Sequence, residues 1–188
     1  MGQLVPQKGA PTAVGRGEAA GSETQQFLTF VLGGEMYALG ILNVKEIIEY
    51  GQLTEIPMMP ASIRGVINLR GAVVPVVDLG ARFGGRASQV QRRTCIVIVE
   101  VAQDDETKLD IGIMVDAVSE VLEIARSEIE PPPSFGARIR ADFIAGMGKV
   151  NGKFVIVLDI HRVLSVDEMA ALAGVVTPGA EGADGGEP

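Results

Sequence analysis

The sequence is poor in the residues that build metal sites and covalent cross-links. Its 188 residues include one cysteine, Cys95, one histidine, His161, and no tryptophan. One cysteine excludes an internal disulfide. A single histidine and a distant cysteine do not provide the three or four clustered ligands of a typical zinc site. We therefore expect no disulfide and no metal, and a fold stabilised by its apolar core.

Positive charge is also scarce. Lys and Arg number 16 against 24 Asp and Glu, so the formal net charge is −8. A nucleic-acid-binding protein needs a basic surface that displaces counterions from phosphates, and this charge balance excludes that class. No apolar run approaches the ~18 residues of a membrane span, and residues 1–23 lack the apolar segment of a secretory signal. We expect a cytoplasmic protein without a membrane-inserted segment.

The two ends of the chain differ in composition from its middle. Residues 1–23 and 173–188 are rich in Gly, Ala and Pro and have no apolar periodicity, so we expect mobile tails. The folded part should lie within about residues 24–172. Near its end, residues 165–168 have the spacing of a capping box and precede good helix formers. This predicts a short helix over residues 165–174, followed by the second tail.

The middle of the chain repeats itself. The segment IRGVINLRGAVVPVVDLGARF (63–83) aligns without a gap on IAGMGKVNGKFVIVLDIHRVL (144–164). Upstream, ILNVKEIIE (41–49) aligns on VDAVSEVLE (115–123), again without a gap. An apolar run typical of a strand precedes each block, FLTFVL in the first copy and CIVIVE in the second. Two gapless blocks in the same order indicate an internal duplication.

Each copy predicts the same series of elements. Two strands come first, then a helical or irregular segment of one or two turns that carries Val-x-Glu-Ile/Val, then two strands joined by a tight turn. Asn151-Gly152 is a strong signal for such a hairpin turn, and Arg70-Gly71 occupies the equivalent position. The two copies therefore predict two small units of the same design.

Closed barrels fit these units best. Gly65 and Gly146 occupy matched positions, where glycine within a strand predicts a bulge or a sharp bend. Five short strands in about 65–70 residues suit a small barrel, which leaves no exposed strand edge. We predict a mainly β protein of two barrels packed around a groove, the first over residues 24–90 and the second over 91–164.

No residue pattern indicates catalysis. A nucleophile activated by His161 would need Cys95 or a serine beside it, and Cys95 lies in an apolar run typical of a buried strand. Asp78 and Asp159 occupy equivalent repeat positions, which predicts turn or cap residues rather than an acid/base pair. We expect a protein that is not an enzyme and needs no cofactor.

Four segments of the chain resemble the CheW family of chemotaxis coupling proteins. They are FLTFVLGGEMYALGILNVKEII (27–48), IRGVINLRGAVVPVVDL (63–79), IGIMVDAVSEVL (111–122) and GKFVIVLDIHRVL (152–164). The resemblance covers about residues 25–172. It implies two five-stranded SH3-like barrels around a hydrophobic groove. It also implies a non-enzymatic adaptor that couples the cytoplasmic tips of chemoreceptors (methyl-accepting chemotaxis proteins) to the regulatory domain of the histidine kinase CheA in membrane-associated arrays.

The resemblance further implies which residues meet each partner. The residues matching the family's receptor contacts are Val44, Glu46, Ile47, Arg70, Val118 and Val121. A looser match places a kinase contact at Thr54, Ile56 and Pro57. Met58 and Met59, which follow, depart from the family pattern and are expected to be adaptable apolar contacts. The glycines expected to keep the shape of the barrels are Gly65, Gly71, Gly112, Gly146 and Gly152.

Two alternative functions are compatible with the same residues. One is a CheW-like adaptor of another chemosensory pathway, such as one for twitching or development. The other, less favoured, is a double barrel that binds a small ligand. The latter would need a well-formed apolar pocket with converging polar groups, whereas an open groove favours the adaptor.

Overall fold

The computed structural model describes residues 23–102, 106–132 and 139–165. The strands are β1 (Thr24–Leu32), β2 (Glu35–Gly40), β3 (Val44–Glu49), β4 (Ile63–Leu69), β5 (Ala72–Asp78), β6 (Cys95–Ala102), β7 (Lys108–Val115), β8 (Ala117–Ala125), β9 (Ile129–Glu130), β10 (Ile144–Val150) and β11 (Lys153–Leu158). The helices are α1 (Leu79–Arg82) and α2 (Ile160–Val163), and short 3₁₀ turns lie at Ile41–Asn43, Arg126–Glu128 and Ala141–Phe143.

The strands form two sheets, each of which we name after its end strand. The β3 barrel has the order β3-β6-β7-β5-β4, and the β8 barrel has the order β8-β1-β2-β11-β10-β9. The prediction of a mainly β fold with two barrels is confirmed. The β8 barrel has one strand more than expected, because the two-residue β9 pairs with β10.

Each barrel contains strands from both copies of the repeat. Strand β2 of the first copy pairs in parallel with β11 of the second, and β5 of the first copy pairs in parallel with β7 of the second. The expected boundary near residue 90 therefore does not separate two sheets. The first two strands of each copy are exchanged, and only the last strands stay with their own half.

The exchanged strands are apolar on both faces, which explains where they lie. In β6, Ile96 and Ile98 point into the β3 barrel, while Val97 and Val99 point into a core between the barrels. The equivalent strand β1 places Phe27 inside the β8 barrel and its next side chain in the shared core. Burying an aliphatic or aromatic side chain contributes about 1.5–3 kcal/mol. A strand with two apolar faces is therefore most stable between two cores.

The Val-x-Glu segments are strands, and the prediction of a helical or irregular segment is wrong. They form most of β3 and part of β8, the end strands of the two sheets. Val44 lies opposite Val99 and Glu46 lies opposite Ile98, so Lys45 is an extra residue in a β-bulge. One extra residue changes the two-residue alternation of a strand into a spacing of three, which resembles the spacing of a helix.

The predicted turn residues adopt the conformation that the sequence suggested. Arg70 and Gly71 have φ of +51° and +87°, and Asn151 and Gly152 have φ of +50° and +76°. Positive φ at both central positions is the signature of a type I′ hairpin turn. The β4–β5 and β10–β11 hairpins therefore use the same turn.

The matched glycines within strands lie at bulges. The pairing of β4 with β5 shifts between Ile63 and Gly65, and that of β10 with β11 shifts between Ile144 and Gly146. Gly65 has φ of +151°, and a Cβ there would lie 2.5 Å from the carbonyl oxygen of Thr54. Any side chain at this position would push the preceding loop away from β4.

The two aspartates are helix caps, as predicted. Asp78 is buried and accepts hydrogen bonds from the backbone N–H groups of Gly80 and Ala81 at the start of α1. Asp159 accepts in the same way from His161 and Arg162 at the start of α2. The helix expected over residues 165–174 and the two tails lie almost wholly outside the described residues.

Candidate partner-binding surfaces

Glu46 and Arg70 form a two-point ion pair on the β3 barrel. The Nη1 atom of Arg70 lies 3.1 Å from Oε2 of Glu46, and its Nη2 donates to Oε1 at 3.1 Å. Glu46 lies in β3 and Arg70 in the β4–β5 turn, so the pair connects the two end strands of this sheet. The arginine side chain remains 77 % exposed. The pair therefore places the two charges together while leaving the guanidinium accessible to a partner.

The nearest apolar side chain of β3 lies on the other face of the strand. Ile47 is paired with Val97 of the shared core, whereas Glu46 is paired with Ile98, which points into the β3 barrel. Ile47 is 43 % exposed. Val44 is half-buried and packs against the core between the barrels. β3 thus exposes Ile47 on the face where Val44 borders the shared core, and carries the carboxylate of the ion pair on its other face.

The β8 strand presents the equivalent residues on the other barrel. Val118 packs against the same shared core as Val44, and Val121 is 49 % exposed. Val118 lies opposite Phe30 in the neighbouring strand, as Val44 lies opposite Val99. Both end strands therefore border the core between the barrels.

The loop before β4 is held at two points. Thr54 and Val66 exchange backbone hydrogen bonds of 2.9 Å in both directions, which attaches the loop to β4. The carbonyl of Pro60 accepts from the N–H of Ile63 at 2.9 Å. Between these points, Ile56 is half-buried and Pro57 is exposed. The loop is thus an ordered feature of the surface.

The remaining predicted glycine lies in a crowded place inside the β3 barrel. A Cβ at Gly112 would lie 2.8 Å from Cγ2 of Ile96 and 3.2 Å from Cγ2 of Val76. Gly112 therefore allows three neighbouring strands to pack closely. Its position agrees with a role in shape rather than in contact with a partner.

An ion-pair network next to the predicted receptor surface connects three strands. Lys45, in the bulge of β3, donates to Asp110 of β7 at 2.9 and 3.0 Å. Lys108 lies 2.7 Å from Glu100 of β6. The hydrogen bond to Asp110 raises the pKa of Lys45, and the hydrogen bond from Lys108 lowers the pKa of Glu100. The network fixes the outer side of β3 against its neighbours.

The residues considered for catalysis lie on different barrels. Cys95 begins β6 of the β3 barrel and is half-buried, with its Sγ 3.3 Å from the carbonyl of Arg93. His161 is exposed in α2, which follows β11 of the β8 barrel. Within residues 23–102, 106–132 and 139–165, no group of three or more His, Cys, Asp or Glu side chains is placed to hold a metal ion.

Two clefts bear on the small-ligand alternative. One, of about 490 Å³, lies between the β1–β2 turn and the loop after α1, and its polar lining includes Glu35, Arg86 and Gln89. These side chains are exposed rather than buried. The other, of about 460 Å³, lies beside the loop at Thr54. A ligand pocket would hold buried polar groups that converge on its occupant. Among the described residues that line the first cleft, Tyr37 is the one buried residue with a polar side-chain group, so this cleft favours the adaptor.

The structure adds exposed apolar residues that the sequence did not single out. Val73 and Phe154 are 68 % and 53 % exposed and occupy equivalent positions just after the two hairpin turns. In the sequence, these two residues could have been recognised by their matched positions in the repeat and by their alternation with residues that are buried. Of the two methionines expected from the sequence to be adaptable contacts, Met58 is 99 % exposed, whereas Met59 packs against the shared core.

Comparison with known proteins identifies the relatives of this chain. A family described as the CheW-like domain matches residues 26–168. The chemotaxis protein CheW of Klebsiella aerogenes is 36 % identical over 159 residues, which cover 85 % of this chain and 91 % of that protein. The chemotaxis protein CheW of Treponema pallidum is 32 % identical over 161 residues, with 84 % and 92 % covered.

A solved structure has the same architecture. The crystal structure of the scaffolding protein TtCheW from Thermoanaerobacter tengcongensis matches with a TM-score of 0.68 and 35 % sequence identity. The match covers 77 % of this chain and 90 % of that one. The sequence and structural relatives therefore agree over the part of the chain that folds into the two barrels.

Proposed function

Because this chain belongs to the CheW-like domain family, we propose that it is a non-enzymatic chemotaxis adaptor. It couples the cytoplasmic tips of chemoreceptors to the regulatory domain of the histidine kinase CheA and acts in the cytoplasm at receptor arrays. The match over residues 26–168 spans both barrels and both predicted contact surfaces, and this observation carries the proposal.

The receptor binds the surface around β3. Ile47 is exposed on one face of β3, and the ion pair of Glu46 with Arg70 lies on the other face of the same strand. Binding energy in protein interfaces is concentrated in a few residues, often arginine next to apolar anchors, and is surrounded by contacts of little energy. Val44, Val118 and Val121 extend this surface along the core between the barrels towards the second end strand.

The kinase binds the loop that carries Thr54, Ile56 and Pro57. This loop is attached to β4 by the two hydrogen bonds between Thr54 and Val66, so it is ordered before any partner arrives. Preorganisation reduces the entropy lost on binding, which favours a loop of this kind as a docking element.

The proposal is tested by asking whether two partners bind at once. The full chain is titrated with a receptor-tip fragment and, separately, with the regulatory domain of a CheA kinase from the same organism. We expect each to bind, and the complex with one to accept the other with similar affinity. Competition between the two partners would contradict an adaptor with separate surfaces. Failure of both to bind would contradict the proposed function as a whole.

A further inference from the structure

The ends of the two short helices meet across the core between the barrels. α1 follows β5 of the β3 barrel, and α2 follows β11 of the β8 barrel. Arg82, the last residue of α1, donates from Nε to the carbonyl oxygen of Val163, the last residue of α2, at 2.9 Å. The last carbonyl groups of a helix have no partner within that helix. A side chain of one barrel therefore satisfies a backbone group of the other.

Aromatic contacts lie beside this hydrogen bond. The guanidinium of Arg82 lies 4.8 Å from the ring centre of Phe143, which is buried just before β10 of the β8 barrel. A cation at this distance from a ring is attracted to its face. The ring of Phe83 lies 6.0 Å from that of Phe143 and 5.7 Å from that of Tyr37 in β2. Residues 82 and 83 of the β3 barrel therefore contact the β8 barrel at several points.

The two helices are equivalent in the repeat, but the hydrogen bond between them is not. Residues 63–83 align on 144–164, so Arg82 occupies the position of Val163. Valine has no side-chain donor, so α2 cannot return the contact that it receives. Because Val163 and Phe143 both belong to the other barrel, the arginine serves the junction between the barrels.

This junction determines the shape of the proposed receptor surface. That surface uses Val44 of β3 and Val121 of β8, so it depends on the orientation of one barrel relative to the other. The apolar core between the barrels holds them together, but the hydrophobic effect has no direction. A hydrogen bond requires a defined distance and angle. Arg82 therefore supplies a directional contact that favours one orientation of the barrels.

The distance between Arg82 and the receptor surface increases the effect of any rotation. Strand β5 has seven residues and spans roughly 20 Å between the turn at Arg70 and α1. A small rotation of the β3 barrel about the Arg82 contact therefore moves Arg70 much further than it moves Arg82.

We propose that Arg82 is a positioning residue, which fixes the orientation of the two barrels and thereby the separation of the receptor-binding residues on β3 and β8. The inference rests on the proposed function and deepens it, because it names a residue that acts on receptor binding without touching the receptor. The proposed kinase contact should not depend on Arg82, because the loop at Thr54 is attached to β4 of the same barrel.

The first test compares binding of the two partners. Arg82→Met keeps an unbranched side chain but removes the charge and the donor. We expect its affinity for a receptor-tip fragment to fall about tenfold, because the surface is no longer preorganised, and its affinity for the CheA regulatory domain to stay unchanged. Arg64→Met is the matched control, since the half-buried Arg64 donates to the carbonyl of Ser88 at 3.0 Å within the β3 barrel. This control should bind the receptor tip normally. Loss of both affinities in Arg82→Met would indicate a general folding defect and would overturn the inference.

The second test measures the orientation of the barrels directly. Val73 and Phe154 are exposed on β5 and β11, so spin labels on Val73→Cys and Phe154→Cys, in a Cys95→Ser background, report the distance between the barrels. We expect a narrow distance distribution in the labelled parent and in Arg64→Met, and a broader or shifted one in Arg82→Met.

The two tests distinguish the inference from the proposed function. An unchanged distance distribution in Arg82→Met overturns the inference but not the proposed function, and so does wild-type receptor affinity in that variant. A wild-type chain that binds no receptor tip contradicts the proposed function, whereas the distance distribution still decides whether Arg82 orients the barrels.

Discussion

Arg70 and Asn151 occupy the same position in two hairpins of the same turn type, yet only one is the residue that such a turn favours. Asparagine adopts positive φ readily, whereas arginine does so at a steric cost. Arg70 is nevertheless held at φ of +51°, with its guanidinium on Glu46. The difference between the copies lies at an exposed residue, and we expect contact with the receptor rather than the fold to select the arginine.

Replacing Arg70 with asparagine, the residue at the equivalent position of the β10–β11 turn, separates the effect on stability from the effect on binding. Arg70→Asn loses an exposed ion pair, worth about 0.2–1 kcal/mol, but relieves the turn. We expect the melting temperature to change by less than about 4 °C and the affinity for a receptor-tip fragment to fall about tenfold or more, ~1.4 kcal/mol. Arg126→Ala, which breaks the exposed Arg126–Glu23 pair on the β8 barrel, is the matched control and should bind normally. Equal affinity in both variants would remove Arg70 from the receptor surface.

Reversing the charge of Glu46 should have a larger effect on binding than on folding. In Glu46→Lys, a cation replaces the partner of Arg70, and like charges at this distance repel. The arginine should move away from its position, so receptor affinity should fall at least as much as in Arg70→Asn, since charge complementarity governs specificity. Titration beside a melting curve measures both effects. Recovery of affinity in the doubly reversed protein, Glu46→Lys with Arg70→Glu, would indicate that the pair acts by its geometry rather than by the sign of its charges.

At the scale of the element, the sequence predicts those features that depend only on residues adjacent in the chain. The hairpin at Asn151-Gly152 and the bulge at Gly65 follow from backbone preferences that any context preserves. The prediction of a helical or irregular segment at Val44 is wrong because the β-bulge gives the apolar residues a helix-like spacing. A bulge depends on the pairing with a neighbouring strand, which the segment's own sequence does not show. The contact between Glu46 and Arg70 also depends on the closure of the barrel, which the sequence indicates only through the repeat.

The ion-pair network beside β3 makes the stability of the folded protein depend on pH. The pKa of Glu100 is lowered in the folded protein by its hydrogen bond from Lys108. The ionised form therefore stabilises the folded state above the unfolded-state pKa, about 4.3, and this contribution is lost as pH falls through the lower folded-state pKa. Glu100→Gln should melt below the wild type near neutral pH and should converge with it on acidification to about pH 3. Glu55→Gln, an exposed carboxylate on the loop before β4, controls for net charge. A constant difference at every pH would exclude the network as the cause.

At the scale of the whole molecule, the repeat predicted two barrels but not the exchange of strands between them. Both ways of pairing satisfy the same sequence similarity, because equivalent strands have equivalent patterns. The choice is made by the chain connections and by the shared core, which joins Phe30 of β1 to Val97 of β6. The sequence of one repeat copy alone does not indicate packing between segments that are so far apart in the chain. The candidate surfaces could be inferred from the family resemblance, whereas the exposure of Val73 and Phe154 needed the structure.

The exchange predicts that neither half of the chain folds alone. A protein of residues 24–90 lacks the strands that flank β1 and β2 in the β8 barrel and should lack a cooperative melting transition. The full chain should unfold in one transition, with calorimetric and van't Hoff enthalpies in agreement. Circular dichroism and calorimetry measure these properties. A folded 24–90 fragment with a sharp transition would mean that the halves can close independently.

The pairing of β1 with β8 also sets the time at which the protein can fold during synthesis. Phe27 lies opposite Leu122, and Tyr37 of β2 lies opposite Ile156 of β11. Strands β1 and β2 therefore cannot complete their pairing until β8 and β11 have been synthesised. Contacts between residues so distant in sequence slow folding. Until they form, the nascent chain exposes two apolar strands with open edges, which are prone to aggregation. Completion of the β8 barrel therefore requires that β11 has been synthesised, and the open edges of β1 and β2 stay available for wrong pairing until that point.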